Sequence, residues 1–495
     1  LFIGRFFCGH VCPMGTTLDI LQSPLISRKK PSNKNNTYEA TQRYRVWKYV
    51  GLLAVLASAL SSVSLVYWGS PLSLITRFYG LVVYPLVLMA ADLTLQLVTP
   101  LLAWTPFTSL SYVQVSEKVF RTGAFVLLLF TGFTLMAYTQ PRFWCRNLCP
   151  AGALMGFFSR SPLIRRRVSE DCNRCGLCIR RCPTGAISED PGGTVHSECI
   201  VCLRCVEVCP QSAVSFGVAG LHNSSAIKGP DLTRRGIVLA LGTGFVTAGV
   251  LRTGVHQPRP RTRERPLLNG ELIRPPGALP EPDFLARCVR CGECMKACPT
   301  NTLQPVWLEA GLEGIFTPVM LPRLAACAVN CTACGKVCPT GAIRELTLVE
   351  KNHAKVGTAW INRQNCLVWK QDKKCLVCDE VCPYKAVSFQ PVPDRLNAVP
   401  FVSENKCIGC GWCENKCPVE GTSAIRVNII GEIRLASGSY VEKAREYGMI
   451  FKQRAQTPES LSPGTFDSLG PSETPGGSES SGSPENNLPP GFTSK

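Results

Sequence analysis

The stretch CNRCGLCIRRCP, residues 172–183, decides how the rest of the chain is read. Its cysteines, Cys172, Cys175, Cys178 and Cys182, stand in C-x2-C-x2-C-x3-C-P order, the bacterial ferredoxin spacing for a 4Fe-4S cluster. A tight loop offers three thiolates to three irons of a cube, and the fourth, a helical turn on, reaches a neighbouring cube. The proline after the last cysteine withdraws one backbone N–H and fixes the local turn. The same order returns in CIVCLRCVEVCP (Cys199, Cys202, Cys205, Cys209), CVRCGECMKACP (Cys288, Cys291, Cys294, Cys298) and CIGCGWCENKCP (Cys407, Cys410, Cys413, Cys417). Two further runs keep the C-x2-C-x3-C-P core and stretch the first gap: CAVNCTACGKVCP (Cys327, Cys331, Cys334, Cys338) and CLVWKQDKKCLVCDEVCP (Cys366, Cys375, Cys378, Cys382).

Two C-x3-C-P pairs, CGHVCP (Cys8, Cys12) and CRNLCP (Cys145, Cys149), account for the last four of the 28 cysteines. They make one four-thiol set if their loops meet. Cysteines at i and i+4 share a face of a helix, so the set reads as a cluster site at the membrane face. Redox-cycling thiols and a docking role are the alternatives.

Other uses of cysteine fit worse. C-x2-C-x2-C crowds thiols too tightly for six parallel repeats to pair as disulfides. Zinc sites favour separated knuckles or histidine ligands, and none of the five histidines stands at ligand spacing; a zinc-sequestering protein is the rival from the binding class. No C-x-x-C-H occurs, so covalent c-type haem is not indicated. The formal charge of +18 invites an anionic partner such as nucleic acid. However, an oxidised cube with four thiolates carries roughly −2, so seven would leave the loaded protein near about +4. The lysines and arginines read as internal counter-charge, and no nucleic acid is expected.

Apolar residues concentrate before residue 141, which marks residues 1–160 as a membrane domain. Residues 50–68 and 122–140 are uncharged and close to the roughly 20 residues that cross a bilayer. Both read as spanning helices. Seven lysines and arginines lie between Arg28 and Lys48, nine arginines between Arg142 and Arg181, and only Arg77, Lys118 and Arg121 between residues 69 and 121. Both C-x3-C loops therefore belong on the cytoplasmic side, which requires an even number of crossings. Residues 80–104, with Asp92 at the centre and Pro85 and Pro100, then read as a re-entrant or interfacial hairpin, or else 50–68 does not span.

Residues 161–220 read as a two-cluster ferredoxin domain with crossed ligands: Cys172, Cys175, Cys178 with Cys209, and Cys199, Cys202, Cys205 with Cys182. An apolar anchor at 231–252, a basic proline-rich linker at 253–280, a four-cluster domain at 281–435 and a low-complexity tail at 455–495, expected to be disordered, complete the order. The fold class expected is α+β: N-terminal transmembrane helices, a two-cluster ferredoxin-like domain, then a four-cluster polyferredoxin domain. A chain opening on Leu1 reads as a piece of a longer one.

Residues 1–215, through GRFFCGHVCPMG, RFWCRNLCPAGAL and the ferredoxin pair, resemble the NapH/NosR-type polyferredoxin membrane proteins. Residues 231–430, through TRRG, CVRCGECMKACPTNTLQPVWLEAGLEGIFTPVMLPR and NCTACGKVCPTGAI, resemble the NapG/MauM ferredoxins. The resemblance implies electron transfer from membrane quinol, menaquinol or ubiquinol, to a periplasmic cytochrome or reductase. It implies a bacterial inner membrane location, with the first ferredoxin domain cytoplasmic and the second periplasmic. The second family is exported by the twin-arginine route, so residues 231–252 look like its signal kept as an anchor, although five arginines follow it on the unexpected flank.

Resemblance to four-cluster ferredoxins also implies nested ligand sharing in the second domain. Cys288, Cys291 and Cys294 would take Cys417, and Cys407, Cys410 and Cys413 would take Cys298. Inside these, Cys327, Cys331 and Cys334 would take Cys382, and Cys366, Cys375 and Cys378 would take Cys338. Six 4Fe-4S clusters are expected, a seventh if the C-x3-C pairs hold one, with quinone as redox partner. Asp92, as an intramembrane acid, and Arg5 or His10 beside the first pair are candidates for a quinone or proton site; the plainer reading of Asp92 is a wet hairpin turn. No acid–base or nucleophile constellation appears. The role expected is a quinol-dehydrogenase-like electron carrier without substrate chemistry of its own. The alternative is a redox-regulatory or maturation protein for a periplasmic metalloenzyme, NosR-like, although the S-G-A-T-type flavin-attachment run of that relative is not in this sequence.

Overall fold

The computed structural model describes residues 3–27, 37–60, 69–102, 118–136, 139–218, 234–252, 272–307, 311–393 and 395–449. Most of the expected linker and the whole of the expected tail lie outside them.

Cysteine and proline punctuate the first helices. α1 (Phe6–His10) ends before Cys12, and α2 (Pro13–Ser27) begins directly after it. Proline lacks an N–H, so it cannot continue a helix but suits a helix's first turn, where that N–H has no partner. α3 (Thr37–Leu60) follows, and then α4 (Pro71–Phe78), capped by Ser70, whose Oγ accepts from Ser73 N–H at 3.4 Å.

α4 runs through a widened turn at Tyr79–Val83 into α5 (Tyr84–Leu102). There Tyr84 N–H bonds the carbonyl of Tyr79, five residues back. A regular turn would drive the Pro85 ring into the carbonyl four residues earlier, and the extra residue relieves that clash. Over the described residues 80–102, the expected hairpin is therefore one continuous helix. Among the described residues, Pro71–Thr99 is the one helix long and apolar enough to cross a membrane, at 29 residues. α6 (Gly123–Leu135) has 13 residues, shorter than the expected span.

A Cβ on Gly51 would lie 3.8 Å from the Pro150 ring, and one on Gly69 would lie 2.6 Å from it, so both glycines stand beside the second C-x3-C loop. The expected span at 50–68 is helical as far as Leu60, and residues 61–68 lie outside the described residues.

α4 and α6 connect two cores. Leu74, Ile75 and Phe130 pack with Cys12, Met14, Leu18, Trp144 and Cys149. A few residues along the same helices, Leu81, Val82 and Val126 join the core of the second ferredoxin region, with Phe284, Met295 and Phe316. Phe78, stacked on Phe130 at 3.9 Å, packs against both.

α7 (Pro150–Phe158) leads to the first ferredoxin region. Its antiparallel ladder pairs β1 (Ile164–Val168) with β2 (Val214–Val218), from Ile164↔Val218 to Val168↔Val214, and encloses both cysteine runs. α8 (Arg234–Arg252) lies along α3, where a Cβ on Gly244 would come within 2.7 Å of Ala57 Cβ. Small residues let two apolar helices approach this closely. The second ferredoxin region is built on three two-stranded antiparallel ladders: β3 (Leu303–Pro305) with β4 (Pro318–Met320), β5 (Thr358–Ile361) with β8 (Ile425–Asn428), and β6 (Val387–Gln390) with β7 (Val399–Val402).

Candidate metal centres

In the four runs of regular spacing, both residues flanking the second cysteine adopt left-handed backbone: Arg174 and Gly176, Val201 and Leu203, Arg290 and Gly292, Gly409 and Gly411. For a non-glycine residue this costs on the order of 1 kcal/mol or more, so the loop is held open by its surroundings. The alternation turns successive backbone N–H groups toward one concave face, a form suited to anionic sulfur. Neither run with a stretched first gap repeats it, since Thr332 and Leu376 both have negative φ.

Four of the loops border a hollow completed by a cysteine from elsewhere. Cys199, Cys202, Cys205 and Cys182 line one of about 350 Å³. Cys288, Cys291, Cys294 and Cys338 line another of about 360 Å³, Cys407, Cys410, Cys413 and Cys382 one of about 350 Å³, and Cys366, Cys375, Cys378 and Cys417 one of about 410 Å³. Cys298 acts electrostatically on Cys327 and Cys334, which completes the remaining group of the second region with Cys331. Among the described residues no three His, Cys, Asp or Glu side chains converge on a single-ion site. The hollows suit a group of several atoms.

The fourth cysteines of the second domain correct the nested expectation. Cys338 belongs with Cys288, Cys291 and Cys294, not Cys417; Cys298 with Cys327, Cys331 and Cys334, not Cys382. Likewise Cys382 joins Cys407, Cys410 and Cys413, and Cys417 joins Cys366, Cys375 and Cys378. The cause is local closure. Leu279 N–H bonds Ala342 O at 3.1 Å and Arg344 N–H bonds Gly277 O at 2.8 Å, drawing the end of the second run onto the start of the first. β5 with β8 ties the third run to the fourth in the same way. In each half, neighbouring runs share ligands.

The groups also have an order in space. Cys294 interacts with Cys334, Cys410 with Cys327, and Cys413 with Cys378. Cys327 N–H donates to Cys410 O at 2.8 Å across the middle junction. The four cysteine groups of the second region therefore run 288, 327, 407, 366 when named by first cysteine. At the near end, a Cβ on Gly292 would sit 3.6 Å from Leu81, and Phe125 of α6 meets Trp307 with ring centroids 4.5 Å apart.

The two C-x3-C loops do meet. Cys145 interacts with Cys149, Cys12 and Cys8 in one buried environment. The pairs are not on plain α-helical faces, as the spacing suggested. Cys12 N–H bonds Phe7 O at 2.8 Å and Cys149 N–H bonds Trp144 O at 3.0 Å, both across five residues. Each second cysteine closes a wide turn and starts a new helix at its proline, with Gly152 N–H donating to Cys149 Sγ at 3.3 Å. This site abuts the first ferredoxin region. A Cβ on Gly9 would fall 2.4 Å from Ile200 O, and Arg142 acts on both Cys145 and Cys202.

Arg5 is fully buried, gives Nη1 to Glu198 at 3.0 Å and Nη2 to Cys145 O at 3.3 Å, and so serves as counter-charge to the thiols. His10 is exposed, with Nε2 3.0 Å from Val201 O and its ring stacked on Phe6. Asp92 sits mid-helix on α5, where it accepts from Gln96 Nε2 at 2.6 Å. The hairpin turn suggested for it does not exist. The sequence does not single out Glu198, Lys48, Arg45 or Arg146, which form a buried charge cluster between the thiols and the first ferredoxin region. Glu198 directly precedes Cys199, the only local hint. Arg166, also buried, gives Nη2 to Cys178 Sγ at 3.5 Å and bonds Cys205 as well.

Burial pushes the thiols up, to about 12 for Cys199, Cys334 and Cys378. Such thiols bind metal only by surrendering their protons, so loading must supply positive charge. Lys351 lowers Cys327 against that trend, as Lys355 does for Cys407.

Comparisons with known families match this geometry. Models described as 4Fe-4S dicluster domain match residues 164–210 and 287–342, and models described as 4Fe-4S binding domain match 400–421 and, in two pieces, 1–33 with 122–169. The fold and its cysteine groups define an iron–sulfur electron-transfer protein of ferredoxin type. The methylamine utilization ferredoxin-type protein MauM of Paracoccus denitrificans is 38% identical over 203 residues, 40% of this chain and 84% of the relative. MauM of Methylorubrum extorquens is 43% identical over 163 residues, 32% and 72%. The ferredoxin-type protein NapG of Haemophilus influenzae is 32% identical over 243 residues, 47% and 81%. The chain belongs to this NapG/MauM family of ferredoxin-type proteins.

Proposed function

We propose that the protein is a polyferredoxin of the bacterial inner membrane, a NapH/NosR-type membrane part joined to a NapG/MauM-type ferredoxin. It passes electrons between membrane quinol and a periplasmic acceptor of a respiratory reductase. The observation that carries this reading is the position of the C-x3-C thiols. They touch the first ferredoxin region through Gly9 and Arg142, while the second region packs a few residues further along the same helices through Leu81 and Phe125, so the thiols stand close to both regions.

Six groups of four cysteines hold 4Fe-4S clusters, with Cys209 completing Cys172, Cys175 and Cys178, and Cys8, Cys12, Cys145 and Cys149 hold a seventh. When bound, each cluster carries one electron at a time. The chain sets its potential by charge, hydrogen bonds and burial, through Arg166, Lys351, Lys355 and Arg142. Ile75, packed with the thiols, and Leu81, packed with the second region, are six residues apart, about 9 Å of helix against a hydrocarbon core of roughly 30 Å. The two ferredoxin regions therefore lie on one side of the membrane, beside the start of the Pro71–Thr99 helix.

Protease protection in right-side-out and everted vesicles tests the topology, with antibodies to residues 172–209 and 288–417. Cleavage of both regions from the same face alone is expected; cleavage of the two from opposite faces would overturn this placement. Iron analysis should give about 24 to 28 atoms per chain, and a quinol analogue should reduce the clusters rapidly.

A further inference from the structure

The last hollow of the series, lined by Cys366, Cys375, Cys378 and Cys417, is bordered by the insertion that lengthens its motif, LVWKQDKK at 367–374. Lys370, Lys373 and Lys374 on this loop are exposed. The loop is pinned rather than loose. Asp372 adopts left-handed backbone and its carboxylate accepts from Leu396 N–H at 2.9 Å and Asn397 N–H at 3.0 Å. Trp369 donates Nε1 to Pro400 O at 3.3 Å and carries the Arg363 guanidinium 4.3 Å above its ring.

These contacts hold the insertion and its three exposed lysines against the 395–400 segment, where Arg395 is exposed and Leu396 is 95% exposed; Leu376 after the insertion is 40% exposed. The one acid of the insertion, Asp372, is spent on the pinning, while Asp379 and Glu380 lie in the following helix and Asp394 precedes Arg395 in sequence. An exposed leucine beside a lysine-rich loop, over the end of a redox series, has the composition of a transient docking patch: a small apolar contact with charge for steering.

We propose that this surface docks a small acidic one-electron carrier, which takes its electron from the Cys366, Cys375, Cys378 and Cys417 centre. The inference rests on the electron-transfer reading above and adds the exit point and the charge of the partner. One electron leaves the reduced centre and enters the carrier's oxidised haem, copper or iron–sulfur centre; no proton moves. The near end of the series, at Gly292, is covered by Leu81, so a soluble carrier meets the far end.

The test uses the full chain in detergent, reduced and mixed in stopped flow with two probes, the acidic soluble domain of cytochrome b5 and basic cytochrome c. The triple variant K370S/K373S/K374S should slow electron delivery to the acidic probe about tenfold or more at low salt. It should flatten the salt dependence and leave the basic probe no slower. Iron content and the reduced-state paramagnetic resonance spectrum report whether the variant keeps its clusters. Equal rates with the acidic probe in variant and parent would overturn the docking surface while leaving electron transfer intact. Failure of the loaded parent to reduce either probe would overturn the electron-transfer reading itself.

Discussion

Replacing Glu198 by glutamine tests how the first ferredoxin region is fastened to the helices. The carboxylate is completely buried and takes Arg5 at 3.0 Å and Lys48 at 2.6 Å, with Arg45 and Arg146 adding to the positive field. Glutamine keeps the shape and removes the charge, which leaves two buried cations without their anion. Breaking a buried pair in this way costs about 3–5 kcal/mol, or about two to three and a half powers of ten in the opening equilibrium of the seam. Arg45 and Lys48 are themselves buried there, so tryptic cleavage at these two residues reads that equilibrium directly. Cleavage in the variant should be faster by about a hundredfold or more, and adding Lys48→Met should recover part of the loss. A change under about twofold would refute the reasoning, because it would mean that water already solvates the pair. The pH dependence has a definite sign. Burial by itself raises the Glu198 carboxyl, but Lys48 and Arg5 outweigh it and hold it below its ordinary value. Its stabilisation is therefore full above about pH 4.3 and is lost as pH falls through the folded value.

Cys338→Ala should remove the resonance signal of the centre it shares with Cys288, Cys291 and Cys294 and spare that of Cys366, Cys375 and Cys378, whereas Cys417→Ala should do the reverse; the opposite pattern would restore nested sharing. Gly9→Ala puts a Cβ 2.4 Å from Ile200 O, so the thiol loop must back away from the first ferredoxin region. Overpacking of this kind costs about 1–3 kcal/mol, measurable as a lower urea midpoint for separating the two. Burial raises the cysteine thiols, so the empty protein favours their protonated form and cluster loading releases protons. Reconstitution should be slower at pH 6.5 than at pH 8.5, and equal rates would contradict the thiol environment described.

The cysteine loops are legible in sequence because their geometry is local: three thiols on a loop of fixed length, then a turn and a proline. Who supplies the fourth thiol is not. Cys338 and Cys417 sit in identical C-P contexts, and the choice between them depends on which backbone segments pair, a long-range property that spacing does not encode. The helix at 80–104 was hidden for a different reason. Pro85 and Asp92 both argue for a break, and only the widened turn at Tyr79–Val83 shows how the helix absorbs the proline. The buried cluster around Glu198 draws its members from positions 5, 45, 48, 146 and 198, and no sequence window contains more than two or three of them. The basic excess, by contrast, is legible as counter-charge at Arg166, Lys351 and Lys355, each set against a cysteine.

The sharing of fourth cysteines between neighbours bears on the biosynthesis of the protein. Nested sharing would leave the centre begun by Cys288 incomplete until Cys417 emerged from the ribosome, with reactive thiols exposed throughout. With neighbour sharing, the chain can close its first two centres of the second region once Cys338 has appeared, before any residue of the third run exists. The last two close together when Cys417 follows. Assembly then proceeds in self-contained instalments, and a chain stalled within the second region carries a finished pair of centres rather than half-built ones.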